Sequence, residues 1–573
     1  MDNKEIVSNL RTLASFLELH GENEFKIKGY NNAIYNIERI TDPLEAMSLK
    51  ELENVNGIGK SIAAKIFELL QNEKIAVLED LISKTPEGVV EMMNIKGLGT
   101  KKIRTLWQEL DIISVDQLQS AIKKGLISNL KGFGGKVLEN IDHATQFYLQ
   151  SKSKTHYSKA EAFYLEIESL IMTKYPDIQI SPTGELRRRM EVISKISLVV
   201  GRGNFNEIHQ LVSTGSNFVE SEGASPFTLR GTFKDCPVPI EIFLCDPDKF
   251  FLTLFITTGS NSHLAFQTQQ STNLRQLTFG LEVKSEADIY THAGLPYIDP
   301  ELREGLFEFQ FAKSDHLPTL IKMEDLKGVI HSHSHYSDGK HSLREMAEYC
   351  KSSGYEYLGI SDHSKAAAFY ANGMDEDRVK KQQEEIDRLN EELAPFKIFK
   401  GIEADILADG SLDYDPETLA SFDFVVASVH SVLNMDLEKA MDRMMKAIRN
   451  PFTTILGHLT GRQLLIRDGY PLDHKAIIDA CAEYNVIIEI NAHPYRLDMD
   501  WRWIPYALEK KVMLSINPDA HAIDGFRDMY YGVCVARKGG LNPESTFNTK
   551  SMQELEVYFQ NRKLSVGRLT DSK

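Results

Sequence analysis

The chain lacks several features that would place it in common protein classes. No apolar run reaches the roughly 18 residues that a membrane-spanning helix requires, and the polar opening MDNKEIVSNLR has no apolar segment of the secretory type. The 5 cysteines are scattered and outside paired motifs, which excludes a disulfide-rich extracellular scaffold. We therefore expect a cytoplasmic protein with reduced thiols and no membrane partner.

Positive charge is also in short supply. The formal net charge is -17, which argues against a protein that coats nucleic acid by bulk attraction. Any contact with DNA must be local, through backbone donors and small basic patches. Low-complexity segments are missing as well, so 573 residues predict several folded domains.

The pattern of apolar and polar residues divides the chain into three zones and one connector. Residues 1–155 read as short amphipathic helices, residues 156–312 mix helices with β-rich runs such as ISKISLVVG, and a polar connector covers residues 313–327. From residue 328 to 573, apolar runs of strand length alternate with helical patterns. That alternation predicts parallel strands with crossover helices, arranged as an open sheet or a closed barrel.

A Gly-x-Gly motif occurs three times in the helical zone, in NVNGIGKSIAAKI, NIKGLGTKKIRTL and NLKGFGGKVLENI. The glycines permit tight turns, and the amides of the following helix can face a phosphate. One copy is also typical of a helix cap, but three in register resemble the helix-hairpin-helix motif, which implies binding to the DNA backbone. The candidate DNA-binding residues are Gly57, Gly59, Lys60, Gly97, Gly99, Lys101, Lys102, Gly132, Gly134 and Lys136.

Histidines and acids follow the predicted strands of the last zone one after another. A lone histidine there is often a satisfied core residue, and a lone acid often caps a helix. Nine such groups at the carboxyl ends of parallel strands would instead converge on one end of a sheet or barrel, and they suit two or three divalent ions. The nine are His331, His333, Asp338, His363, Glu403, His430, His458, Asp519 and His521.

These motifs resemble the PHP (polymerase and histidinol phosphatase) superfamily over residues 328–548. The resemblance implies a distorted seven-stranded β/α barrel with two or three ions of manganese, zinc or iron, and magnesium as a further candidate. It assigns one ion to His331, His333, Glu403 and Asp519, a second to Glu403, His430 and His458, and a third to Asp338, His363 and His521.

The candidate catalytic residues are His331, His333, Glu403, Asp519 and Arg462. Arg462, like Arg496, is a candidate phosphate clamp or an ordinary ion-pair arginine.

The runs EADIYTHAGLPYIDPELRE and TTGSNSHL resemble the bacterial and archaeal PolX proteins, members of DNA polymerase family X. The palm of that family carries three aspartates that hold two metal ions. Here Lys195 and Ser197 replace two of them, Glu241 stands for the third, and Arg187 is retained. We expect a nucleotidyltransferase fold that has lost template-directed synthesis, unless other acids compensate.

The segment ENEFKIKGYNNAI, before the first hairpin, resembles the small amino-terminal domain of family X polymerases. Members with deoxyribose-phosphate lyase activity have a Schiff-base lysine at the place that Lys65 occupies here. The alternative is a solvated helix lysine, because a Schiff-base lysine needs a neutral amine.

We therefore predict a multidomain protein. Its parts are an all-α helix-hairpin-helix domain at 1–80, a fingers-like helical region at 81–155, an α+β nucleotidyltransferase-like palm and thumb at 156–312, a linker at 313–327 and an α/β PHP domain at 328–573.

The predicted function is a metal-dependent 3′–5′ exonuclease or phosphodiesterase in DNA repair, a monomer acting on gapped, nicked or abasic DNA. The alternatives are an active gap-filling polymerase with an accessory nuclease, a phosphatase of the histidinol-phosphate type, and a non-enzymatic repair scaffold.

Overall fold

A computed structural model describes the chain except for residues 39, 41, 202–204, 216, 217, 222–224, 226, 270, 314–316 and 571–573. The chain divides into two compact units, Met1–Ser153 and Lys154–Lys573. Within the described residues, every helix is too short or too polar to cross a membrane. The predicted domain boundaries within each of these two units stay predictions.

The first unit is helical. In its first helix Ile6, Leu10, Leu13 and Leu17 recur every three or four residues and are buried, which is the stripe of a helix that packs on one face. The helices are α1 (Asn3–Leu19), α2 (Glu24–Ile37), α3 (Leu49–Asn54), α4 (Lys60–Asn72), α5 (Ala76–Lys84), α6 (Glu87–Met92), α7 (Thr100–Leu110), α8 (Val115–Lys123) and α9 (Gly135–Ser151).

The second unit begins with a palm-like part that mixes strands and helices. Its main sheet has the order β2-β4-β7-β6-β5, in which β4 and β7 are parallel and the other pairs are antiparallel. Strands β1 and β3 form a separate antiparallel pair. The strands are β1 (Thr155–His156), β2 (Gln179–Thr183), β3 (Val192–Ile193), β4 (Ile196–Gly201), β5 (Phe218–Glu220), β6 (Thr228–Phe233) and β7 (Ile240–Cys245).

The helices of this part lie around its sheet and in the segment that follows it. They are α10 (Tyr157–Lys174), α11 (Gly184–Arg187), α12 (Phe205–Gly215), α13 (Phe250–Thr258), α14 (Asn261–Leu264), α15 (Leu274–Leu277), α16 (Glu286–His292) and α17 (Glu308–Lys313).

The rest of the second unit is a barrel of seven parallel strands in sequential order within the described residues. A bridge between Ser332 and Ala520 joins the two edge strands beyond their ends. The barrel is nearly closed, so the choice between an open sheet and a barrel is settled and the fold-class prediction is confirmed. The strands are β8 (Gly328–Ile330), β9 (Tyr357–Ile360), β10 (Lys397–Asp405), β11 (Phe424–Ser428), β12 (Ile455–Leu456), β13 (Ile487–Asn491) and β14 (Leu514–Asn517).

Crossover helices surround the barrel, because parallel neighbours need a connection that returns to the starting edge. They are α18 (Leu343–Ser352), α19 (Glu376–Leu393), α20 (Pro416–Ser421), α21 (Leu437–Arg449), α22 (His474–Tyr484), α23 (Ile504–Glu509) and α24 (Met529–Lys538), followed by the final helix α25 (Met552–Thr570).

Aromatic side chains fill the amino-terminal end of the barrel. Phe424, the first residue of β11, packs with Phe399 and with Phe559 from α25. Gly401 makes room for this ring, since a Cβ there would lie 2.2 Å from Phe424 Cζ. Polar side chains are thus left to the opposite end, which we call the mouth.

Buried ion pairs tie the helices of the palm-like part together. Arg303 is fully buried, and its Nη1 donates to Glu286 Oε1 at 2.5 Å, while Arg187 Nη1 donates to the same oxygen at 2.9 Å. Burial alone would raise the pKa of Glu286, but Arg303 and Arg187 lower it overall.

Replacing Glu286 by glutamine should destabilise the second unit by about 3–5 kcal/mol, because Arg303 would remain buried without its counter-charge. Differential scanning calorimetry would measure the loss as a lower unfolding temperature. Glu392→Gln is the matched control, since its pair with Arg344 is half exposed and should change stability by less than about 1 kcal/mol. Equal shifts in the two variants would contradict this assignment.

Candidate functional site

The structure brings all nine predicted ligands together at the mouth. Most of them follow the carboxyl end of a strand, Glu403 is within β10, and Asp338 is in the loop after β8. Three of these residues, His331 (φ 119°), His458 (φ 20°) and Asp519 (φ 53°), have a positive φ, which costs energy for residues other than glycine. Such strain is typical of functional sites.

The carboxylate of Glu403 is the centre of the cluster. It is buried, and five imidazole rings surround it. Its Oε1 lies 3.0 Å from His458 Nε2, 3.2 Å from His430 Nε2 and 3.4 Å from His331 Nε2, and its Oε2 lies 3.0 Å from His363 Nδ1 and 3.7 Å from His333 Nε2.

Asp519 and Asp338 extend the cluster toward solvent. Asp519 Oδ1 lies 3.0 Å from His333 Nε2, 3.5 Å from His331 Nε2 and 3.8 Å from His521 Nδ1. Asp338 Oδ1 lies 3.4 Å from His521 Nε2 and 3.7 Å from His363 Nε2. All nine side chains therefore belong to one connected network.

Three sets of donor atoms are close enough to share an ion, each with its atoms within 4.8 Å of one another. His333 and His363 each belong to two sets, so the grouping differs in detail from the one that the resemblance implies. The sets are His331, His333 and Asp519; His363, Glu403 and His430; and His333, Asp338, His363 and His521.

Unsatisfied buried atoms test whether the site fits metal ions. Among the described residues, His331 Nε2, His363 Nδ1 and Glu403 Oε2 are buried without a hydrogen-bond partner, which is costly unless something else binds them. They converge on the same space. Imidazole and carboxylate donors suit zinc, manganese and iron, so the residues fit such ions.

The electrostatics hold two of the candidate ligands, Glu403 and His333, in forms that bind metals. Burial alone would raise the pKa of Glu403, but His430, His331 and His363 lower it well below its usual range. Burial, with His521 and His363, lowers the pKa of His333 to about 3. An ionised carboxylate and a neutral imidazole are the forms that bind metals.

Two further acids orient the imidazoles, and the sequence analysis missed both. Glu489, buried in β13, has Oε1 2.6 Å from His331 Nδ1, and its Oε2 accepts from His458 N at 2.6 Å. Asp405 Oδ1 lies 2.5 Å from His430 Nδ1. A carboxylate that accepts from Nδ1 leaves Nε2 free for a metal. The acid within the apolar run NVIIEIN is the signal that would have indicated Glu489.

The two candidate phosphate clamps differ in their contacts. Arg462 Nη1 donates to Asp500 Oδ2 at 2.7 Å and its Nε donates to Arg496 O at 3.0 Å, so its guanidinium holds a loop. Arg496 Nε lies 3.9 Å from Asp519 Oδ2. The catalytic role of Arg462 stays a prediction, and the geometry favours Arg496 as the phosphate contact.

In the palm, the replaced residues meet across the sheet. Ser197 pairs in register with Glu241, Lys195 Nζ donates to Glu241 Oε2, and Arg230 Nε donates to its Oε1 at 2.7 Å. Burial alone would raise the pKa of Glu241, but the bonds from Lys195 and Arg230 lower it overall. Two cationic side chains therefore occupy both oxygens of the surviving acid.

The three Gly-x-Gly motifs share one geometry. The first glycine is left-handed, with φ of 83° at Gly57, 83° at Gly97 and 92° at Gly132. The second glycine caps the following helix without a side-chain hydrogen bond, at Gly59, Gly99 and Gly134. The middle residues Ile58, Leu98 and Phe133 are buried. Each turn thus leaves the amides of a helix amino terminus at the surface.

The lysines of these motifs differ in their surroundings. Lys60 and Lys136 are exposed, whereas Lys102 is half-buried. Lys101 Nζ forms an ion pair with Glu24 Oε1 at 2.8 Å. Lys65 forms an ion pair with Glu68 at 2.6 Å, and its lyase role stays a prediction.

Comparisons with known proteins agree with this arrangement. A helix-hairpin-helix domain family matches residues 1–75, and the PHP domain family matches residues 330–493. The chain is 34% identical, over 98% of its length and 100% of the relative, to the DNA polymerase/3'-5' exonuclease PolX of Bacillus subtilis (strain 168).

Shorter relatives match one part of the chain. It is 24% identical, over 42% of its length and 98% of the relative, to a probable phosphatase of Thermoanaerobacter sp. (strain X514). It is 29% identical, over 30% of its length and 68% of the relative, to a probable phosphatase of Acetivibrio thermocellus.

Replacing Glu489 by glutamine should weaken binding of divalent metal by about 10- to 100-fold, because a neutral amide has one acceptor oxygen and cannot accept from both His331 Nδ1 and His458 N. Titration of the metal-free protein with Mn²⁺, followed by electron paramagnetic resonance, would measure the affinity. The control is Glu483→Gln, an exposed residue of α22. Unchanged affinity in Glu489→Gln would rule out the orienting role.

Proposed function

Because the chain belongs to the PolX family, we propose that it is a metal-dependent 3′–5′ exonuclease that hydrolyses phosphodiester bonds of DNA at the mouth of the barrel. The observation that carries this proposal is the convergence of Glu403 with eight further candidate ligands, all of them buried or partly buried except Asp338. We further propose two or three ions of manganese, zinc or iron, with magnesium as a further candidate.

The residues have distinct parts in this reaction. Bound ions supply the positive charge that activates water and neutralises the phosphate. Glu403 and Asp519 would hold ions by their carboxylates, and Glu489 and Asp405 fix the rings of His331 and His430. Arg496, beside Asp519, would bind a phosphate oxygen.

We propose that the palm has lost template-directed synthesis. The polymerase reaction needs carboxylates that hold two metal ions, whereas Glu241 is engaged by Lys195 and Arg230. Arg187, the retained arginine, is paired with Glu286 and Thr258. Both observations favour a nuclease over a gap-filling polymerase.

DNA, rather than a small phosphate monoester, is the proposed substrate. The similarity to probable phosphatases supports hydrolysis but does not choose the substrate, and the three hairpins favour a DNA backbone. Gapped, nicked or abasic DNA is the form we propose, bound by a monomer. Five free, buried cysteines agree with a cytoplasmic location.

His333→Ala and Asp519→Ala should each reduce digestion of 3′-labelled gapped DNA in the presence of Mn²⁺ by at least about 100-fold, because each removes a metal ligand. Release of labelled mononucleotide measures the rate. Glu241→Ala is the control and should digest DNA like the parent. If the two ligand variants digest DNA as well as the parent, the proposed site is wrong.

The parent protein should incorporate no deoxynucleotide on a primed, gapped template with Mg²⁺ or Mn²⁺, because its palm lacks the paired carboxylates. Primer extension on a denaturing gel measures this. Incorporation that Glu241→Ala abolishes would restore the gap-filling polymerase as the function.

Lys60→Ala and Lys136→Ala should each weaken binding to gapped DNA without changing its sequence preference, because both lysines are exposed beside a hairpin. Each should reduce the slope of log binding constant against log salt concentration by about 1, the change expected for the loss of one phosphate contact. Fluorescence anisotropy at several salt concentrations measures both effects. An unchanged salt dependence in both variants would contradict DNA binding by these hairpins.

A further inference from the structure

An aromatic pair stands beside the metal centre in the loop that follows β9. Phe369 is fully exposed, at 102%, and Tyr370 is 55% exposed. The Tyr370 hydroxyl donates to Asp405 Oδ2 at 2.9 Å, and its ring centroid lies 6.1 Å from that of His430 and 6.4 Å from that of His363. Phe369 therefore directly precedes Tyr370, whose side chain contacts the ligand cluster.

The exposure of Phe369 does not result from a loosely held loop. Ala366 N donates to Asp413 Oδ2 at 2.5 Å, Ala371 N donates to Ala367 O at 2.9 Å, and Asn372 Nδ2 donates to Ser337 O at 2.8 Å. The loop thus holds the phenylalanine outward with its own contacts satisfied.

Apolar side chains are exposed on neighbouring loops of the mouth as well. Val432, after β11, is 60% exposed, and Ile466, after β12, is 46% exposed. Val432 has a left-handed backbone (φ 54°), which is unfavourable for a β-branched residue. The interior of the mouth is lined by charged ligands, while its rim offers apolar surface, and burying such surface is favourable.

We propose that Phe369, next in sequence to Tyr370, is a stacking subsite for a base next to the scissile phosphate of a single-stranded 3′ end. This inference rests on the proposed nuclease function. Cations held by the candidate ligands, together with Arg496, would take the phosphate, and a base is the apolar, planar group joined to that phosphate through one sugar. Stacking on an aromatic ring tolerates every base. A paired duplex end exposes only the outer face of its terminal pair, whereas a single strand exposes both faces of each unstacked base.

The test compares two labelled single-stranded oligonucleotides. One has normal 3′-terminal nucleotides, and in the other the two nucleotides that flank the scissile phosphate are tetrahydrofuran residues without a base. Phe369→Ala should lower kcat/KM on the normal oligonucleotide by roughly 5- to 100-fold, mainly through KM, which is the loss expected for one stacked base. It should leave the rate on the base-free oligonucleotide unchanged, and Phe369→Trp should restore the parent value.

Val557→Ala is the matched control, because it removes an exposed apolar side chain (57%) from α25, which packs at the other end of the barrel. Equal losses on both oligonucleotides, or no loss on either, would overturn the subsite while leaving the nuclease function intact. A parent protein that digests neither oligonucleotide would overturn the nuclease function and the subsite with it.

Discussion

The burial of one carboxylate among five imidazoles is the constraint on which the catalytic half of this protein depends. Glu403 brings a charge into the barrel. Among the described residues, its own Oε2, His331 Nε2 and His363 Nδ1 are buried without a hydrogen-bond partner. Such a cluster is stable when cations occupy it. The barrel makes the cluster possible, because parallel strands deliver their carboxyl ends to one place.

The two ends of the barrel differ in composition: one is apolar and the other carries the polar ligand cluster. Aromatic rings from Phe399, Phe424 and Phe559 fill the amino-terminal end, so that the strands are anchored by apolar packing far from the charged mouth. Glu489 and Asp405 lie within strands of the barrel, and each fixes an imidazole that follows another strand: Glu489 fixes His331 and Asp405 fixes His430. A ligand set oriented in this way keeps its geometry without a metal having to impose it.

The barrel and the palm-like part each bury one acid, and the two acids differ in the side chains that surround them. In the barrel Glu403 lies among imidazoles, a set of donors that suits metal binding. In the palm-like part Glu241 is instead neutralised by two protein cations, Lys195 and Arg230. The same chain therefore combines one centre that fits metals and one whose remaining acid is already satisfied.

The order of strand-length runs and the chemistry of the residues after them were enough to predict the barrel region and its nine ligands, because alternating strands and helices leave few topologies. The Gly-x-Gly repeats likewise predicted their turns, since only glycine adopts the left-handed backbone without cost. Closure of the barrel, the contacts of Glu489 and Asp405 with the imidazoles, and the different partners of Arg462 and Arg496 were decided by tertiary structure alone. Each depends on which atoms from distant segments come within hydrogen-bonding distance, and local sequence patterns contain no information on that distance.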